Sequence, residues 1–192
     1  MASCVHTRLL SWLQAAYLME DQAQRRLQTM LCHIRHHPRL RARIAEHLVD
    51  TRVQADELAA CIERLGGAVA PGAPAAAPPS PPHADALRGA GFLRSLEISH
   101  GLENMEAAAY CALIDAAEAA GEPRIAAVCQ RLLHEELAMA EWLRDYQDAV
   151  LRRLLKREAA HGAPPRGDCE AAAGTRPAPV HAPADRPVEV RR

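Results

Sequence analysis

Twelve of the fourteen prolines fall in two stretches, six within 71–82 and six within 164–187. The other two, Pro38 and Pro123, stand alone. Proline removes a backbone donor and blocks a helix interior, so the long proline-free spans are where helices can form. Four spans qualify: 7–36, 39–65, 84–120 and 124–158. Each carries apolar residues at spacings of three and four, the pattern of an amphipathic helix. Gly66-Gly67 stops the second. Gly121-Glu122-Pro123 ends the third and opens the fourth, with glycine just past one helix and proline in the first turn of the next.

These spans predict an all-α domain over residues 1–158, large enough for a hydrophobic core. The Gly, Ala and Pro segment 67–83 reads as a linker with polyproline II character. Residues 159–192 lack periodicity and read as a disordered tail. The linker length bears on topology. Helices of this length extend roughly 40–45 Å at ~1.5 Å per residue. About 17 extended residues can travel from one end of such a bundle to the other. Two short turns with a long crossover between the second and third helices match a ferritin-like four-helix bundle. A loose tether between two independent hairpins is the competing arrangement.

The apolar stripes are interrupted by acids. In the third helix Leu96, Ser99, Glu103, Glu106, Tyr110, Leu113 and Ala117 share one face. In the first helix Glu20 stands among Leu13, Tyr17, Gln24, Leu27 and Leu31. In the second, Leu40, Ile44, Leu48, Thr51, Ala55, Leu58 and Ile62 form the stripe. Asp50 and Gln54 flank it, with His47 one turn earlier. In the fourth, Glu136 sits between Leu132 and Met139, with Glu135 beside it. Each acid alone could be a boundary residue reaching for water. Together, Glu20, Asp50, Glu103, Glu106 and Glu136 would meet at one depth of the bundle. Five carboxylates cannot share a desolvated core as anions. Protons, an arginine or divalent cations must neutralise them, and an oxygen-rich set suits iron or manganese.

Other classes are disfavoured. A formal net charge of −1 over 192 residues gives no electrostatic case for nucleic acid or membrane partners. No apolar run is long enough to span a bilayer. Arg8, Ser11 and Gln14 interrupt any signal-peptide core. Six cysteines are scattered without a C-x-x-C pair. That argues against zinc, favours reduced thiols in a cytoplasm, and suggests that most are small core residues. No nucleophile–base set or phosphate loop is apparent.

Four segments carry a resemblance. They are Ala16-Tyr17-Leu18-Met19-Glu20-Asp21-Gln22-Ala23, the run from Leu40 to Gln54, Glu103-Asn104-Met105-Glu106-Ala107-Ala108-Ala109-Tyr110, and the run from Leu133 to Leu143. In this order, with the Pro-Pro linker between the second and third, the chain resembles the YciE/YciF-type ferritin-like proteins, a bacterial family. The resemblance covers residues 7–156 apart from the linker. It implies a homodimeric four-helix bundle tied to stress responses. It also implies a dinuclear site similar to that of rubrerythrin-like proteins, with two iron or manganese ions. Glu20, Asp50, Glu103, Glu106 and Glu136 match the ligand roles, with Gln54, Glu135 and Tyr110 as further ligands or supports. The chain departs from the pattern at Asp50, where Glu is usual, and at Asn104, where the motif often has His. Val53 and Met139 occupy positions where ferritin-like iron enzymes carry histidine.

Two functions follow as expectations. One is a metal-dependent oxidase or peroxide-reducing protein. The other is a non-catalytic, stress-associated bundle with a degenerate site, acting as an interaction protein. An iron store needs a cage that nothing in the sequence predicts.

Overall fold

The computed structural model describes residues 2–34, 36–69 and 90–161. They form four helices: α1 (Ala2–His33), α2 (Pro38–Arg64), α3 (Ala90–Ala119) and α4 (Pro123–His161). No strand occurs among the described residues. The helix boundaries differ from the expected ones only at the ends. α1 starts earlier than residue 7. α3 starts at Ala90 rather than 84, and α4 runs past 158 into the segment read as tail. The rest of that tail, and most of the expected linker, lie outside the described residues.

Glycine ends two of the helices in the same way. Gly66 and Gly121 both have φ of 74°, a left-handed conformation that costs a residue with a Cβ. After α2, the Gly67 N–H donates to the Ile62 carbonyl at 3.0 Å and the Gly66 N–H to that of Glu63 at 2.9 Å. After α3, Glu122 donates to Ala117 at 2.9 Å and Gly121 to Glu118 at 3.0 Å. Both are Schellman closures, which satisfy carbonyls left without helical partners. Pro38 lies in the first turn of α2, where its missing N–H costs nothing.

Side-chain pairs fix the topology. Tyr110 meets Glu20 and Ser99 meets Met30, so α3 runs antiparallel to α1. At one pole His37, at the start of α2, stacks on Phe92, near the start of α3, with ring centroids 3.8 Å apart. At the other pole Arg64, at the end of α2, bonds Glu122, just past the end of α3. Thus α2 and α3 are parallel. The end of α2 and the start of α3 lie at opposite poles, some 40 Å apart for a helix of this length. Two hairpins, α1–α2 and α3–α4, therefore pack with α2 parallel to α3, the arrangement of a ferritin-like bundle.

The core has two apolar compartments. One gathers Leu9, Leu13, Leu58, Ile62, Tyr110, Leu113, Ile125 and Leu132. The other gathers Leu27, Ile34, Leu40, Ile44, Phe92, Leu96, Met139 and Leu143. Between them lies a buried layer of polar residues: Glu20, His47, Thr51, Gln54, Ser99, Glu103, Glu106 and Glu136. The cysteines follow the expectation only in part. Cys61 and Cys129 are buried, whereas Cys4, Cys32 and Cys111 are exposed.

Candidate metal centre

Each helix delivers its polar residue by helical spacing. On α2 the buried face reads Ile44, His47, Thr51, Gln54 and Leu58, at steps of three and four. His47 and Gln54 are therefore core residues. Asp50, one position off this face, is half-buried at its edge. On α3 Glu103 and Glu106 share a face, and on α4 Glu136 points inward between Leu132 and Met139.

His47, Glu103 and Glu136 converge, each offering a ligand atom within 4.8 Å of the others. His47 Nε2 lies 2.9 Å from Glu103 Oε2 and 3.9 Å from Glu136 Oε2. Thr51 Oγ1 donates to the His47 carbonyl at 2.8 Å. Gln54 Nε2 donates to Glu136 Oε1 at 2.7 Å and to Glu135 Oε2 at 3.0 Å. Glu135 also accepts from Arg131 at 2.9 Å and stands at the half-exposed rim.

The other buried acids have partners of their own. Tyr110 Oη donates to Glu20 Oε1 at 2.5 Å. Arg26 Nη2 donates to Glu106 Oε1 at 3.0 Å. The expected five acids thus divide. Glu103 and Glu136 meet each other with His47. Glu20 and Glu106 lie in the same layer, tied to Tyr110 and Arg26, and Asp50 sits at its margin. The sequence alone assigns no role to His47 or Arg26. The His47 signal lies in the α2 stripe, since extending it to include His47 beside Ile44, Leu48, Thr51, Ala55 and Leu58 makes it a core residue. Arg26 gives no such signal, because it falls off the α1 stripe and reaches Glu106 only through the packing of α1 on α3.

Burial governs the electrostatics. It pushes Glu20 up to about 9, and the negative charge of Glu136 adds to the rise. Glu136 is likewise raised to about 9 by burial, against the pull of His47. Glu103 rises to about 7, again by burial and then by Glu106. Burial holds His47 below its usual range, which favours the neutral ring that can coordinate a metal. The Tyr110 hydroxyl is pushed far up, so it stays a donor.

Among the described residues, three buried side-chain polar atoms receive no hydrogen bond: Glu20 Oε2, Gln54 Oε1 and Glu136 Oε2. Buried polar atoms left in this way are costly. Glu136 Oε2 lies 3.9 Å from His47 Nε2, and the Glu136 and Glu103 carboxyls are within hydrogen-bond reach of each other. Two carboxylates brought together need a proton or a cation between them. A neutral imidazole with two carboxylates, one of them with an unused oxygen, fits a divalent transition metal.

Known proteins share this architecture. A family model described as "Domain of unknown function (DUF892)" matches residues 5–77 and 83–156. A crystal structure of a protein from Xanthomonas campestris is 33% identical, with a TM-score of 0.69, over 81% of this chain and 98% of that one. The bacterioferritin of Desulfovibrio desulfuricans, whose structure is described by its diiron site in different catalytic states, is 16% identical. It aligns with a TM-score of 0.69 over 91% of this chain and 98% of its own. At that identity it speaks for the fold alone.

Proposed function

The chain belongs to the DUF892 family of YciE/YciF-type ferritin-like proteins, and on that premise we propose that it binds a divalent transition metal, iron or manganese, in the polar layer of its bundle. His47, Glu103 and Glu136 are the ligands, and the protein is an oxidase or reduces peroxide. The observation that carries this reading is the convergence of His47, Glu103 and Glu136, with a buried Glu136 oxygen that receives no hydrogen bond. A bound iron or manganese ion supplies one-electron chemistry toward oxygen or peroxide. The chain's own residues do the rest. Gln54 fixes the Glu136 carboxyl by donating to Oε1, which leaves Oε2 for the ion. Tyr110 holds Glu20 by its hydroxyl at the border of the apolar compartment. The two apolar compartments exclude water from either side of the layer and so strengthen the interactions within it.

The test is metal content after anaerobic loading with Fe(II) or Mn(II), in the parent and in a Glu103→Ala/Glu136→Ala variant with matching circular dichroism. Metal retained by the parent and lost from the variant supports the site and makes oxygen-consumption and peroxide assays the next step. No metal in the parent, or equal metal in both, sinks it.

A second reading has an observation in its favour. Arg26 on Glu106 and Tyr110 on Glu20 give two of the buried acids partners other than a metal. In that case the layer is a structural polar network, and the protein is a non-catalytic helical bundle. The loading experiment separates the two readings.

A further inference from the structure

The polar layer already contains a cation. Arg26 reaches from α1 into it and meets Glu106, with Nη2 3.0 Å from Oε1. The arginine side chain is one-quarter exposed and the glutamate almost fully buried. A guanidinium cannot lose its charge at any ordinary pH, so this positive charge is permanent. It is delivered to the one carboxylate of the Glu103–Glu106 pair that lies outside the converging His47, Glu103 and Glu136 set.

The dinuclear site that the resemblance implies would use Glu106 as a ligand. An ion there would sit beside the guanidinium, and the two would repel at short range in a region with little water to screen them. Charge counting points the same way. Among the described residues, four carboxyls are buried in the layer: Glu20, Glu103, Glu106 and Glu136. Two divalent ions and Arg26 would bring five positive charges to at most four negative ones. One divalent ion and Arg26 bring three. That stays within what the four carboxyls can balance. Excess charge in a buried layer is costly. At the rim, Asp50 acts on His47 and Arg43 acts on His47 and Glu103, so these two opposite charges offset one another, and Glu135 is engaged by Arg131 and Gln54.

We infer that the centre holds one metal ion per chain, at His47, Glu103 and Glu136, and that the Arg26 guanidinium occupies the charge position of a second ion. This inference rests on the proposed metal-binding function and limits it. Arg26 is a positioning residue, since it holds Glu106 away from the ion.

The experiment is Mn(II) loading of the full chain under anaerobic conditions. Bound ions per chain are counted by mass spectrometry, and electron paramagnetic resonance tests for coupling between ions. The parent is expected to bind one ion per chain with an uncoupled spectrum. Glu106→Gln should keep that ion, Glu136→Gln should lose it, and Arg26→Lys should resemble the parent. Arg26→Met removes the charge and should admit a second ion, with a coupled spectrum. Two ions in the parent overturn the single-ion inference but leave the metal-binding function standing. No ion in the parent overturns both. One ion in a folded Arg26→Met protein overturns the role given to the arginine. If Arg26→Met does not fold, Glu106→Gln decides, because loss of the ion there makes Glu106 a ligand and refutes the inference.

Discussion

Tyr110 and Glu20 form a buried pair whose other sides are closed, and this makes the tyrosine hydroxyl costly to remove. Its ring belongs to one apolar compartment, while its hydroxyl supplies the hydrogen bond to Glu20 Oε1. The second oxygen of Glu20 has no partner. Tyr110→Phe therefore leaves a buried carboxyl with no donor at all. The expected loss is about 1–3 kcal/mol of unfolding free energy, the cost of an unsatisfied buried polar group. Urea denaturation of metal-free protein at neutral pH measures it, and an unchanged midpoint would contradict the assigned bond. On α2 the competing ligands are neighbours in sequence but differ in placement. His47 is buried against Glu103 and Asp50 is half-buried at the margin. His47→Ala should lower Mn(II) affinity by at least tenfold in an equilibrium titration, while Asp50→Asn should change it by less than about threefold. The reverse order would return the second-helix ligand to Asp50.

At the scale of elements, the helix ends determine how the two hairpins close. Gly66 and Gly121 share φ of 74°, and a Cβ added at either meets no neighbouring atom. Alanine there costs only the left-handed backbone penalty, about 1 kcal/mol. Gly67 differs, because a Cβ at that position runs into the Leu10 side chain and crowds Ile62. Gly67→Ala should thus destabilise modestly by overpacking, about 1 kcal/mol, because the half-buried Leu10 can turn aside while Ile62 stays crowded, and Leu10→Ala should relieve much of that increment. Thermal denaturation of the single and double variants gives the coupling. Additive effects would mean that α1 does not pack on the α2 terminus as described.

The whole molecule is an apolar bundle cut by a layer of acids, and its stability should depend on pH in a way that metal reverses. Glu20 and Glu136 have folded values near 9, far above the ordinary carboxyl range. Groups raised in the folded state contribute stability that is complete below about 4.5 and is lost as pH rises through about 9. His47 is shifted down by burial. It acts oppositely, costing stability only as pH falls below about 6.5. Between pH 6.5 and 9 the acids dominate, and the buried Cys61 and Cys129 thiols, also raised, act in the same direction, so metal-free protein should become less stable across that interval. Urea midpoints at pH 6.5 and 8.5 test the sign, and a rise would contradict it. A bound cation replaces the protons, so metal affinity should increase with pH, and binding near neutrality should release protons. Calorimetry in buffers of different ionisation enthalpy counts them. No release would mean that the acids are already ionised in the metal-free fold.

Much of this arrangement is written along the chain. Proline position delimits the helices, Gly66 and Gly121 mark their ends, and three-four spacing puts Glu20, Glu103, Glu106 and Glu136 on inward faces, because each depends only on local backbone chemistry and helical periodicity. The partners of those acids are another matter. That His47 rather than Asp50 faces Glu103 depends on a rotation of α2 smaller than the step between adjacent residues, which a stripe of mixed Ala, Thr and Leu does not fix. That Arg26 meets Glu106, 80 positions away, depends on the depth at which α1 slides against α3. Periodicity determines which face of a helix is buried. Only the packing of four helices decides which buried acid meets a base, which a hydroxyl, and which is left with an oxygen to offer a metal.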